Sequence, residues 1–200
     1  MDRSFSVTWD YLCPFARNAH EHLVEALVDG APWDVTFSPF SLVQAHVAEG
    51  DPPVWDWPEP AKGVLALQAG IVVRDRYPER FLEVHRALFA ARHDEGKGLS
   101  DPDVVSAVLS AHGVPADDVF DQVADGWPLK ELRTSHEASV ADHTVFGVPT
   151  FVVADQSVFV RLMTRPDGDS GASRAILQRV LDLITDHPEI NELKHTTIPR

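Results

Sequence analysis

Across 200 residues the chain carries 31 acidic side chains against 17 lysines and arginines, a formal net charge of −14. No basic cluster reverses that balance locally, so neither nucleic acid nor an anionic membrane surface is expected as a partner. The N-terminal "MDRSFSVTWD" has no apolar leader and no stretch is long enough to span a bilayer, while the single cysteine rules out an internal disulfide; a reducing, cytoplasmic setting is expected.

In chain order, "FSVTWD" (5–10) alternates Phe5, Val7 and Trp9 with Ser6, Thr8 and Asp10, a period of two that spells a strand. After Pro14 the period changes. Phe15, Ala19, Leu23, Ala26 and Leu27 recur at helical spacing up to Val28, and Gly30 stops the run. "WDVTFSPF" (33–40) is strand-like again, and the intervening helix can bring it back parallel to the first strand. "DPPVWDWPEP" (51–60), with four prolines and two tryptophans, is expected to be irregular and to mark a boundary.

Helices are then expected over Ala61 to Arg76, Glu79 to Arg92, Pro102 to His112, Pro115 to Ala124 and Leu129 to Thr144, with no strand among them. "TFVVA" (150–154) and "SVFVR" (157–161) predict a hairpin turning at Asp155 and Gln156, and Ser173 to Thr185 predicts a closing helix. His85 falls on an apolar stripe with Leu82, Leu88 and Phe89 and is expected in the core. His20 and His22 point to different sides of a helix and are read as surface residues; the ten histidines are otherwise scattered, so no metal site is expected.

Cys13 stands where the first strand gives way to the first helix. A thiol there meets unpaired backbone N–H groups and the positive end of the helix dipole, both of which favour the thiolate. A buried cysteine acting as a small hydrophobe is the plain alternative. Pro14, directly after it, fixes a helix start and favours the reactive reading.

The order β-α-β, helical block, β-β-α, the Cys13-Pro14-Phe15-Ala16 tetrad and the Val148-Pro149-Thr150 turn together resemble the DsbA-like branch of the thioredoxin superfamily. The resemblance implies an α/β chain: a thioredoxin fold of residues 1–55 and 146–200 with an all-helical domain, 56–145, inserted. "LRTSHEASVADHTVFGVPTF" (132–151) and the tail "NELKHT" are similar to actinobacterial cytosolic members, which include mycothiol-dependent reductases.

Carried over by that resemblance, Cys13 is the nucleophile and Pro149 is a cis proline beside it. Val148 offers backbone groups to an extended thiol substrate, and Pro14, Phe15 and Thr150 complete the thiol-binding wall. Ala16 stands where relatives have a resolving cysteine, so release of a mixed disulfide needs a second thiol from outside, mycothiol or glutathione. His136, in "RTSH", is expected either to orient that thiol or its carboxylate or to be a satisfied interdomain histidine; His93 matches a cleft position in relatives, though the dipole favours a histidine at that helix C-terminus in any case. Trp9 is expected either to wall the cleft or, as strand tryptophans more often do, to pack under the sheet. Trp55 and Trp57, on the proline-rich loop, are expected to form a binding wall or the interface of a homodimer.

Three activities stay open. The first is a single-cysteine thiol oxidoreductase with an unspecified electron acceptor. The second is an enzyme of the kappa glutathione-transferase or 2-hydroxychromene-2-carboxylate isomerase type, whose members usually have serine at the Cys13 position. The third is a non-catalytic module that holds a peptide.

Overall fold

The computed structural model describes residues 3–198. Its sheet has four strands in the order β2-β1-β3-β4. Strand β1 (Arg3–Trp9) lies parallel to β2 (Trp33–Pro39), with Trp9 opposite Pro39, and antiparallel to β3 (Thr150–Val153), which forms a hairpin with β4 (Gln156–Phe159). The turn falls one residue earlier than the spacing predicts, at Ala154 and Asp155, and Ala154 adopts the left-handed region with φ 53°.

Helix α1 (Pro14–Val28) connects β1 to β2, and its apolar positions Ala16, Ala19, Leu23 and Ala26 are fully buried. Between β2 and β3 the chain is helical, and apolar residues of its helices join one continuous core with the sheet. It comprises a short α2 (Leu42–Ala45), a 3₁₀ turn at Val54–Asp56, then α3 (Val64–Arg76), α4 (Pro78–His93), α5 (Pro102–Ala111), α6 (Ala116–Ala124) and α7 (Trp127–His143). The 51–60 segment is thus not wholly irregular. Helix α3 starts three residues later than its apolar spacing suggests, because Gly63, at φ 79°, sits outside the helical region. Helix α8 (Ser170–Asp186) starts earlier: the Asp169 side chain accepts from Ala172 N at 2.9 Å and caps it.

Helix α1 packs on α8 on one side and on α4 on another. That sandwich overturns the surface reading of its two histidines. His22 turns to the α8 side, where Nδ1 meets Ser173 Oγ at 3.0 Å and Nε2 meets the Thr164 carbonyl at 3.2 Å. His20 turns to the α4 side and is fully buried. The two do point in different directions, but both directions are covered by protein.

Candidate active site

Cys13 is the N-cap of α1. Its Cα geometry is extended (φ −93°, ψ 119°), Pro14 occupies the first helical turn, and Sγ accepts from Ala16 N at 3.4 Å. The same sulfur donates its proton to the Val148 carbonyl at 3.2 Å, and the Val148–Pro149 peptide is cis. Thr8 and Thr150 hold that loop against β1: Thr150 N donates to Thr8 Oγ1 at 2.9 Å, and Thr150 Oγ1 donates to the Gly147 carbonyl at 2.8 Å. Cys13, Val148, Pro149 and Thr150, far apart in sequence, are therefore one constellation.

The expected depression of the Cys13 pKa is corrected by the geometry. Cys13 is only 8% exposed, and burial pushes its thiol up from the usual value. The Ala16 and Phe15 N–H groups pull it down, Asp10 pushes it up and the Arg161 cation pulls it down, with burial outweighing the rest. The resting form is accordingly a thiol that donates to Val148. Val148 was expected to present its backbone to substrate; here its carbonyl is occupied by the cysteine.

Asp10 is a site residue that sequence alternation hid. It pairs with Ser6 and Thr8 as a polar position, yet it is 1% exposed. Its Oδ1 accepts from Leu12 N at 2.9 Å and its Oδ2 from Leu42 N at 2.8 Å, tying the loop before Cys13 to the start of α2. Burial raises its carboxyl to about 6 despite those two donors.

His136 serves the same joint. Its Nδ1 accepts from Ser41 N at 3.3 Å, and its ring packs on Phe40 with centroids 4.1 Å apart and edge-on to Trp55 at 5.6 Å. Burial lowers its pKa to about 4. With Nδ1 taken by the Ser41 N–H, the neutral imidazole carries its proton on Nε2, and the ring joins α7 to the start of α2, where the interdomain reading puts it. Trp55 is packing for that ring. Trp57 instead lines an open groove of about 520 Å³ with Leu42, Val43 and Val47.

His93, half-buried, donates from Nε2 to the Tyr11 carbonyl at 2.9 Å and so fixes the chain two residues before Cys13. Burial lowers its pKa. Phe15 is partly buried under Arg161, whose Cζ lies 5.2 Å from its ring centroid, and Pro14 is exposed. Arg17, one turn into α1, is not free to bind a ligand. It joins Glu21 at 3.0 Å and also Asp94, and Arg165 closes the cluster on Glu21 at 2.6 Å and Asp94 at 3.1 Å.

Behind the site runs a buried polar chain. Tyr11 Oη meets His85 Nδ1 at 2.9 Å, His85 Nε2 meets His20 Nδ1 at 2.9 Å, and His20 Nε2 meets the Thr8 carbonyl at 3.1 Å. His85 is in the core as its stripe predicts, but as a hydrogen-bonding link and not as filler. Gly70 makes room for it: a Cβ there would lie 2.5 Å from Tyr11 Oη. Trp9 packs edge-on to His85 at 5.5 Å, in the packing role expected of it.

A sheet of this topology, a helical block inserted between its halves, and a cysteine at a helix start facing a cis-proline turn define a DsbA-type thioredoxin fold. The chain belongs to the DSBA-like thioredoxin domain family, whose model matches residues 6–166. A probable DsbA oxidoreductase from Streptomyces coelicolor is similar in structure, with a TM-score of 0.65 at 15% identity over 96% of this chain and 93% of that one. The cytosolic disulfide reductase DsbM from Pseudomonas aeruginosa, solved with GSH, has a TM-score of 0.63 at 16% identity over 90% of this chain and 100% of that one. A 2-hydroxychromene-2-carboxylate isomerase has a TM-score of 0.62 at 15% identity over 92% and 98%. No match to a curated protein was found.

Proposed function

We propose that the chain is a cytoplasmic thiol oxidoreductase that works through one cysteine and relies on a low-molecular-weight thiol to complete each turnover. The observation that carries this is Cys13 Sγ held between the Ala16 N–H and the Val148 carbonyl, with alanine where a resolving thiol would stand. When the N–H of an extended substrate takes over the Val148 carbonyl, the thiol loses its acceptor. The remaining partners, the Ala16 and Phe15 N–H groups, favour the thiolate.

The thiolate attacks one sulfur of the substrate disulfide. A Cys13–substrate disulfide forms, the original S–S bond breaks, and the other sulfur leaves with the electron pair and takes up a proton. An external thiolate then attacks the mixed disulfide and displaces Cys13. That attack leaves the first small thiol bonded to the substrate sulfur, and a second small thiolate then attacks the first small thiol's sulfur, so that the substrate leaves as a thiol. In sum, one disulfide is reduced and two small thiols are oxidised.

Glutathione is supported by the likeness to a reductase solved with GSH, and mycothiol by the resemblance of residues 132–151 to mycothiol-dependent reductases. The test is the dependence of disulfide-reducing turnover on each thiol with the thiol-recycling enzymes supplied. A rate that climbs with thiol concentration and vanishes in Cys13→Ser is expected; a rate indifferent to added thiol refutes the monothiol cycle.

The isomerase reading is kept alive by the structural likeness to 2-hydroxychromene-2-carboxylate isomerase. It makes a separate forecast: Cys13→Ser would retain glutathione-dependent isomerisation of that substrate.

A further inference from the structure

Beside the nucleophile the surface changes character. Arg161, just past the end of β4, lies with its Cζ 5.2 Å from the Phe15 ring centroid and 5.7 Å from that of Phe159. The Phe159 ring meets Phe146 at 5.2 Å, and Phe146 is 71% exposed. The row Phe15, Arg161, Phe159, Phe146 therefore runs from the residue two after Cys13 to the residue two before Val148. Its backbone is anchored to the site, because Val160 N donates to the Pro149 carbonyl at 3.1 Å.

Two features of this row lack an internal purpose. Among the described residues Arg161 forms no ion pair, in a chain with nearly twice as many acidic as basic side chains. The nearby Arg17 and Arg165 are both committed to Glu21 and Asp94. Phe146 spends a large aromatic side chain on solvent at the lip of the cis-proline turn. An exposed guanidinium held over two rings and joined to no carboxylate of its own chain has N–H groups free to receive one from a ligand.

We propose that Arg161 is the receiving site for an anionic group carried close to the sulfur of the substrate, and that Phe146 and Phe159 pack against an apolar or aromatic portion of the same molecule. The preferred substrate class is thus carboxylate-bearing disulfides with an apolar flank. The proposal rests on Cys13 being the nucleophile, and adds to it a discrimination that a bare thiol would not show. The charge of Arg161 also reaches Cys13 and favours its thiolate, so the test must separate docking from reactivity.

A ratio does so. Stopped-flow labelling of Cys13 by dithiobis-nitrobenzoate, an anionic aromatic disulfide, is compared with labelling by dithiodipyridine, a neutral one, each divided by its rate with N-acetylcysteine. A change in thiolate fraction alters both rates alike and cancels. The wild type should favour the anionic probe by about fivefold, the scale of a favourable exposed charge contact. Arg161→Gln, or ionic strength near 1 M, should bring the ratio to about one. Phe146→Ser should slow both probes and preserve the ratio.

An unchanged ratio in Arg161→Gln overturns the assignment. So does a wild-type dimer that Phe146→Ser converts to monomer with labelling unaffected, since a second copy would then be what covers Phe146. If neither probe labels Cys13, the oxidoreductase reading falls first. Arg161 is then decided by NMR titration of Cys13→Ser protein with nitrobenzoate: saturable shifts that disappear in the Arg161→Gln background sustain it, and their absence overturns it.

Discussion

Replacing His85 with phenylalanine breaks a chain whose polarity can be assigned atom by atom. The Thr8 carbonyl can only accept, so His20 carries its proton on Nε2 and accepts at Nδ1. His85 must then donate from Nε2 and accept the Tyr11 hydroxyl at Nδ1. His85→Phe keeps the ring and strands two fully buried groups, Tyr11 Oη and His20 Nδ1. At about 1–3 kcal/mol for each unsatisfied group, less the gain from a more apolar ring, the loss should be about 2–4 kcal/mol.

Tyr11→Phe strands only His85 Nδ1 and should cost about 1–2 kcal/mol. The double variant strands only His20 Nδ1, so its cost should fall short of the sum by the two groups it spares, Tyr11 Oη and His85 Nδ1, about 2–5 kcal/mol. Urea unfolding at neutral pH, followed by tryptophan fluorescence, measures all three.

The same chain shapes the response to acid. Burial lowers His20 to about 4 and His85 well below the usual 6.5, so each is neutral in the folded state and charged in the unfolded state at mildly acidic pH. Their contribution is full above about 6.5 and is lost as pH falls toward about 4. For His20 alone the fall from 6.5 to about 4 corresponds to about 3 kcal/mol. His85→Phe removes one of these protonations and should make the acid limb less steep. Costs that simply add, or an acid limb of unchanged slope, would refute the chain.

Asp10 titrates in the opposite sense: its raised value near 6 means that stability is gained on protonation and lost as pH rises through about 6, so Asp10→Asn should steepen the acid loss between about pH 4 and 6. The same variant removes a charge that opposes the Cys13 thiolate, so the midpoint of Cys13 alkylation against pH should move down. In the wild type without substrate that midpoint should lie above that of N-acetylcysteine, as burial at the Val148 carbonyl requires; a midpoint below it contradicts the resting geometry. Ala16→Cys should yield an intramolecular disulfide with Cys13, detected as a two-dalton mass loss and loss of thiol titre, because Ala16 is the position whose N–H meets Sγ.

The element order was legible because the periods of two and of 3.6 survive in "FSVTWD" and in α1, and because proline and glycine mark the breaks. Cys13 was legible from the proline that follows it, and its partners at 148–150 only from the family resemblance, since no local rule joins residues so far apart. Asp10 was missed, and His20 and His22 misread, for one physical reason. Alternation and helical spacing report direction, and they imply exposure only where one side faces water. Strand β1 is a central strand, and α1 lies between α4 and α8, so polar residues on their second faces are buried too. Arg161 and Phe146 had no signal at all: one follows a strand and the other precedes a glycine, and only the fold brings the first beside Phe15 and Phe159 and the second beside Phe159.

The measurement closest to the central claim is the intact mass of the protein after exposure to oxidised glutathione or mycothiol disulfide, followed by the reduced form of the same thiol. A single adduct of that thiol should appear on Cys13, persist because Ala16 cannot displace it, and leave when the free thiol is added; Cys13→Ser should take up nothing. Wild-type protein that remains unmodified under both disulfides, while its fold is intact by circular dichroism, would contradict the single-cysteine mechanism.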